Sequence, residues 1–232
     1  MSLERVDHRF EFPAEKIGDI FRYGPTTRPR GGLVKRLFDI LFTATAMVAL
    51  SPLLIGLALL IRWTDKGPIL FSHPRVGHNG KLFQCLKFRT MVENAATVFE
   101  QHLANNAEAR KEWQTYGKLR NDPRITPIGY YLRKYSLDEL PQLINILRGE
   151  MSVVGPRPVE VSELQYYGRS KPHYLRCRPG LTGLWQVSGR SALSYEKRVA
   201  LDRAYVQNWS FLRDCVLILR TVKVVLRGDG SY

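Results

Sequence analysis

The stretch SLDELPQ, residues 136–142, sets two carboxylates, Asp138 and Glu139, side by side in a chain that carries 35 Lys and Arg against 21 Asp and Glu. Adjacent acids in so basic a sequence have two readings. The local one is a capping box, in which Ser136 accepts from a backbone N–H and Glu139 reaches back to the amide of Ser136. The chemical one starts from the end of a short helix, whose unpaired N–H groups and dipole suit a phosphate. Acids at the same spot suit a divalent metal that bridges carboxylate and phosphate oxygens. Cations of the right type recur along the chain. Lys87 and Arg89 alternate in KFRTM, so a strand there puts both on one face. Arg133 precedes Asp138 by five residues, and Arg157 lies in GPRP, between two prolines that restrict its backbone. Taken singly, these are an exposed strand, a helix-surface charge and a rigid turn; together they form a set of cations around two acids. Other phosphate and metal signatures are missing: GHNGK lacks P-loop spacing, no G-x-G-x-x-G or D-x-D occurs, and His73 and His78 lack H-E-x-x-H spacing.

The elements that must hold these residues follow from pattern. Residues 66–91 alternate apolar and polar types around His78-Asn79-Gly80, which predicts a short β-hairpin carrying Lys87 and Arg89. Residues 92 to about 118 are rich in Ala and Glu and predict one or two helices ending near Gly117. Pro141 is welcome in a first turn and Gly149 suits a C-cap, so a helix is expected from about 139 to 148, with Asp138 and Glu139 at its start. The tail from Tyr195 to Arg227 reads as helical. Its last part is apolar with interspersed basic residues, which favours packing on the core over resting on lipid.

From Leu37 to Ile61 the chain is apolar with one charge, Asp39, and is long enough to cross a bilayer. Pro52 removes an N–H and crowds the carbonyl of residue 48, so a kink or reversal is expected near Ser51, whose hydroxyl can serve freed carbonyls. The arms on either side, as helices of about 22 and 14 Å, each fall short of a ~30 Å core. Lys35 and Arg36 before the run and Arg62 and Lys66 after it are symmetrical, which suits both ends on the cytoplasmic face. A re-entrant helical hairpin reversed at Ser51-Pro52 is therefore preferred, with a kinked single span as the alternative.

A net charge of +14 asks for an anionic partner: nucleic acid, an acidic membrane surface or a phosphorylated small molecule. Cys85, Cys177 and Cys215 are isolated and odd in number, which supports neither a disulfide framework nor a cysteine zinc site. The expected organisation is a loosely ordered arm over 1–32, a re-entrant membrane helix over 33–66, and a catalytic domain over 67–232. The fold class is α+β, mostly helical with a short β-hairpin, in a monotopic membrane protein.

The segments KRLFDI, Ser51-Pro52, GPILF, RVGHNGKLF, KFRTM, DPRITPIG, SLDELPQLINILRGEMSVVGPRP, RPGLTGLWQVSGR and YVQNWSFLRD occur in order. In this the chain resembles the bacterial sugar transferases, the monotopic polyprenyl-phosphate hexose-1-phosphate transferases. The resemblance implies transfer of a hexose 1-phosphate from a UDP-sugar to polyprenyl (undecaprenyl) phosphate, releasing UMP. That is the first membrane step of exopolysaccharide or other surface glycan synthesis, at the cytoplasmic face of the bacterial inner membrane. It implies Mg²⁺, Asp138 as nucleophile, and Glu139 in metal or proton handling. Arg133 and Arg157 match phosphate-contacting arginines, with Lys87 and Arg89 as further phosphate-binding residues. The partners implied are these two substrates and membrane lipid, not nucleic acid; a homodimer is left open. The RPGLTGLWQVSGR segment resembles longer members, which makes glucose or galactose the first choice of sugar. Two rivals stand beside this reading: a membrane-anchored glycosyltransferase that releases UDP, and a non-catalytic membrane-tethered scaffold.

Overall fold

The computed structural model describes residues 28–64, 67–117 and 119–227, so most of the 1–32 arm lies outside the described residues. The first element, α1 (Gly32–Thr64), is a single apolar helix of 33 residues with Pro52 inside it. The break expected at Ser51-Pro52 is not seen as an interruption of the helix. The Ser51 hydroxyl donates to the Val48 carbonyl at 2.8 Å, the carbonyl that Pro52 has no N–H to serve, so the helix runs on through the proline.

Both arms of α1 are tied to the same globular body. In the first arm Lys35 pairs with Asp214 at 2.5 Å, and Asp39 accepts from the Ser152 hydroxyl and the Val153 amide, both at 3.0 Å. Arg36 donates to the carbonyls of Ile146 and Leu147. In the second arm Leu54, Leu57, Ala58 and buried Ile61 pack with Phe88 and Leu132. Between and around these contacts, Val48, Ile55, Leu59 and Trp63 are exposed, a surface that suits lipid better than water.

The expected hairpin is present: β1 (Leu70–Val76) pairs antiparallel with β2 (Leu82–Phe88), joined by a tight turn in which Asn79 and Gly80 take positive φ. The Ala- and Glu-rich stretch forms two helices, α2 (Ala95–Asn105) and α3 (Ala107–Tyr116), the second capped by left-handed Gly117. Next come α4 (Pro127–Lys134), a single 3₁₀ turn at Leu137–Glu139, and α5 (Gln142–Arg148), which ends on left-handed Gly149. The helix expected from about 139 thus begins later, and the two acids sit on the separate turn before it.

A second sheet was not foreseen. β3 (Ser152–Val154) pairs in parallel with β4 (Gly180–Thr182), and α6 (Val161–Leu164) and α7 (Lys171–Leu175) lie in the connection between them. The tail forms α8 (Tyr195–Gln207) and α9 (Phe211–Arg227). The main core joins β2, α5, β3, α8 and α9 through Phe83, Leu143, Ile146, Val154, Tyr205 and Leu217. α9 packs on that core as expected through Leu217, while Leu212, Leu219 and Leu226 stay exposed.

Candidate active site

The turn that carries Asp138 and Glu139 is fixed from its apolar side. Leu137 and Leu140 pack with Phe88, Leu132 and Ile61, so the two acids between them face the other way. The capping box expected from S-x-x-E does not form. Ser136 sits in the left-handed region, φ 56 and ψ 24, and its side chain caps nothing. Left-handed backbone costs a non-glycine residue about 1 kcal/mol or more, and such conformations concentrate at functional sites. Glu139, instead of reaching back to Ser136, turns to the sheet and binds Lys87.

Lys87 reaches the pair because β2 is held in register against α5 by one side chain. Buried Asn145 donates to the Gln84 carbonyl at 2.7 Å and accepts from the Leu86 amide at 3.0 Å. The next residue, Lys87, then places its ammonium 2.7 Å from Glu139 Oε1 and 3.6 Å from Asp138 Oδ2. Arg157 Nη1 approaches Glu139 Oε1 at 3.6 Å. The environments divide the two acids. Burial raises the Asp138 carboxyl above the usual carboxylate range, against the pull of Lys87, with the Glu139 charge adding to the rise. Burial also opposes the charge of Glu139, but Lys87 and Arg157 together outweigh it and hold this carboxyl well below its ordinary value. Two neighbouring carboxylates pushed apart in this way take different roles: one stays charged, the other holds a proton more readily.

Arg133 lies in α4, whose start is set by the Thr126 hydroxyl accepting from the Gly129 amide at 2.9 Å. A Cβ at Gly129 would strike the Thr90 carbonyl, so glycine is what lets this turn press against the end of β2. Arg133 Nε donates to Thr90 Oγ1 at 2.9 Å and its charge acts on Asp138. Of KFRTM, then, Lys87 and Thr90 serve the site. Arg89 follows directly on β2, its amide donates to the Ile69 carbonyl at 2.9 Å, and its guanidinium lies against Gly67.

Arg190 was not singled out from the sequence. Its guanidinium reaches toward Ser136 Oγ at 3.5 Å and its charge helps keep Glu139 ionised. It sits in a short loop of Gly, Ser and Ala, where a lone arginine carries no periodic signal; only its positive φ of 49, visible in the structure, marks it.

The two acids also fit a divalent ion. The Lys87 ammonium lies against both carboxylates, in a position where a small cation finds negative oxygen on two sides. The described residues contain no group of three or more His, Cys, Asp or Glu that could hold a metal, so an ion held by these two acids would need its remaining ligands from substrate phosphate and water. That is the habit of Mg²⁺, which keeps several waters and takes one or two carboxylates plus phosphate oxygens.

These motifs have counterparts in known proteins. The chain is 54% identical over 205 residues, 88% of its length and 91% of the relative's, to the exopolysaccharide production protein ExoY of Sinorhizobium fredii. It is 50% identical over 199 residues to the undecaprenyl-phosphate galactose phosphotransferase of Salmonella typhimurium, covering 86% of this chain and 42% of that longer protein. It is 39% identical to the UDP-glucose:undecaprenyl-phosphate glucose-1-phosphate transferase of Caulobacter vibrioides, covering 97% and 82% of the two chains. The profile described as bacterial sugar transferase matches residues 30–228, which takes in α1, both acids and every cation around them. With α1 and the globular site both inside that match, the chain belongs to the bacterial sugar transferase family.

Proposed function

We propose that this protein transfers a hexose 1-phosphate from a UDP-hexose to undecaprenyl phosphate, with release of UMP, as the first membrane step of exopolysaccharide synthesis. The observation that carries the reading is the unequal pair: a buried Asp138 beside a Glu139 held charged by Lys87 and Arg157. Asp138, once ionised, attacks the phosphorus bonded to the sugar oxygen. An aspartyl–phosphorus bond forms, the P–O bond to UMP breaks, and UMP leaves with the electron pair. The phosphate oxygen of the lipid then attacks the same phosphorus and frees Asp138. A desolvated carboxylate is a stronger nucleophile than a hydrated one, and its like-charge repulsion from a diphosphate is offset by Lys87, Arg133 and Arg157. Mg²⁺, held by Asp138 and Glu139 when bound, supplies further neutralisation of phosphate charge.

The two arms of α1 support a re-entrant placement. Lys35, Asp39 and Ile61 are all buried against one globular body, and a helix that crossed a ~30 Å core would carry its ends to opposite sides. We therefore assign both ends of α1 and the catalytic body to the cytoplasmic face of the inner membrane. The names of the relatives include both galactose and glucose, which supports UDP-galactose or UDP-glucose as the donor. Membranes containing the protein, incubated with Mg²⁺, undecaprenyl phosphate and each UDP-hexose, should release UMP. Release of UDP would identify a conventional glycosyltransferase, and release of neither would favour a scaffold. Donor labelled in the sugar-linked phosphate, without lipid, should leave label on the wild type and none on Asp138→Asn. UMP formation that requires lipid, with no trapped label after rapid quench, would overturn the covalent step.

A further inference from the structure

Resting on that reading, we propose that Trp185 is a positioning residue for Arg157, fixing through its ring face the guanidinium that meets Glu139 and the donor phosphates. The arrangement starts from the parallel pair. Ser152 stands opposite Gly180 and Val154 opposite Thr182, and Arg157 and Trp185 each lie shortly beyond the C-terminal ends of these strands. Around Gly155 the two backbones come close because no side chain separates them. The Gly155 amide donates to the Thr182 carbonyl at 2.8 Å and the Gly180 amide to the Pro156 carbonyl at 2.7 Å. A Cβ on Gly155 would come within 2.6 Å of the Arg178 carbonyl oxygen, and one on Gly183 would strike the Gly155 carbonyl.

At the end of this seam the Arg157 guanidinium carbon lies 5.8 Å from the Trp185 ring centre, with Arg198 5.0 Å from the same ring. These distances fall in the range where an aromatic face attracts a cation. Trp185 is itself buried. Nearby, Asp202 accepts from the Tyr167 hydroxyl at 2.7 Å, and burial pushes its carboxyl up to about 8. Arg157 is thus held by two prolines along its backbone and by a buried ring beside its side chain. Its distance to Glu139, 3.6 Å, leaves the guanidinium free to take a phosphate oxygen as well.

The test is a double-mutant cycle on UMP release in membranes carrying the full chain. Trp185→Leu should lower kcat/KM about tenfold, while Trp185→Phe, which keeps a ring face, should stay within about threefold of wild type. In an Arg157→Ala background, Trp185→Leu should change kcat/KM less than twofold, because the group it positions is gone. The same tenfold loss in both backgrounds would overturn the inference, since Trp185 would then act independently of Arg157. Fluorinated tryptophans placed at 185 keep the size and fold of the ring while weakening its negative face. A stepwise fall in kcat/KM with fluorine number is expected, and a flat series would refute the ring-face account even if Trp185→Leu fails to fold. Wild type that releases no UMP with any donor would sink the transferase reading instead, a result distinct from either failure of the Trp185 assignment.

Discussion

Removing the Lys87 charge should move the acid limb of the pH profile upward. At the 3.6 Å between Lys87 Nζ and Asp138 Oδ2, an effective dielectric near 20 gives an attraction of about 5 kcal/mol. That figure must be discounted. The Lys87 side chain is 27% exposed, its ammonium is shared with Glu139 at the shorter 2.7 Å, and water screens part of what remains. An effect on Asp138 of ~1.5–3 kcal/mol is left, which at 1.36 kcal/mol per unit is about one to two pKa units. The sign is set by the site: burial already raises Asp138, and Lys87 is the largest charge opposing that rise. Lys87→Met therefore raises the carboxyl further and lowers the fraction ionised at neutral pH. UMP release measured as kcat/KM across pH, with Mg²⁺ saturating, should show its acid limb displaced to higher pH by about one to two units. The displacement belongs to the Asp138–Glu139 pair, because the two titrate together. An acid limb that stays in place or moves to lower pH, in a variant whose melting temperature shows it folded, would refute the electrostatic account of the site.

Asp138→Asn should abolish UMP release and yet raise the thermal midpoint at neutral pH. A carboxyl raised in the folded state costs stability once pH exceeds its unfolded value, near 3.9, so the difference from wild type should shrink as pH falls toward that value. Lys35→Met should destabilise the protein by about 3–5 kcal/mol, since it leaves the buried Asp214 charge with only neutral donors from Tyr205 and Trp209, and adding Asp214→Leu should restore part of the loss in denaturation of detergent-solubilised protein. Single cysteines at Arg28 and Ser72, with Cys215 replaced by serine and Cys85 and Cys177 left buried, should be labelled from the same side by an impermeant reagent; labelling from opposite sides would reject the re-entrant placement.

The parts of the site legible in the sequence were those tied to a period or a strong local rule. The hairpin alternation led to Lys87, the proline pair led to Arg157, and Gly117 and Gly149 end their helices with positive φ where glycine was expected to stop them. The failures have equally local causes. S-x-x-E met the pattern of a capping box, but the left-handed turn at Ser136 and the cation at Lys87 took Glu139 elsewhere. β3 and β4 are three residues each and pair across a separation of 28 positions, too short to show alternation and too far apart to be joined by eye. Trp185 and Arg190 depend on that pairing and on the loop after it, so neither could be connected to the acids before the chain was folded.

The ties of α1 also bear on the order in which the protein is made. Its first arm inserts a lysine and an aspartate among apolar residues, and their partners are encoded far downstream: Asp39 waits for Ser152, and Lys35 waits for Asp214, 179 positions later. At translation speeds of roughly 5–20 residues per second, the anchor exists for on the order of ten seconds or more before the last helix emerges to neutralise it. During that interval Lys35 must remain hydrated at the lipid boundary, so this arm docks only after synthesis is nearly complete. A ribosome that stops before α9 leaves α1 with the partner of Lys35 still missing, so the charge that the finished protein buries stays exposed.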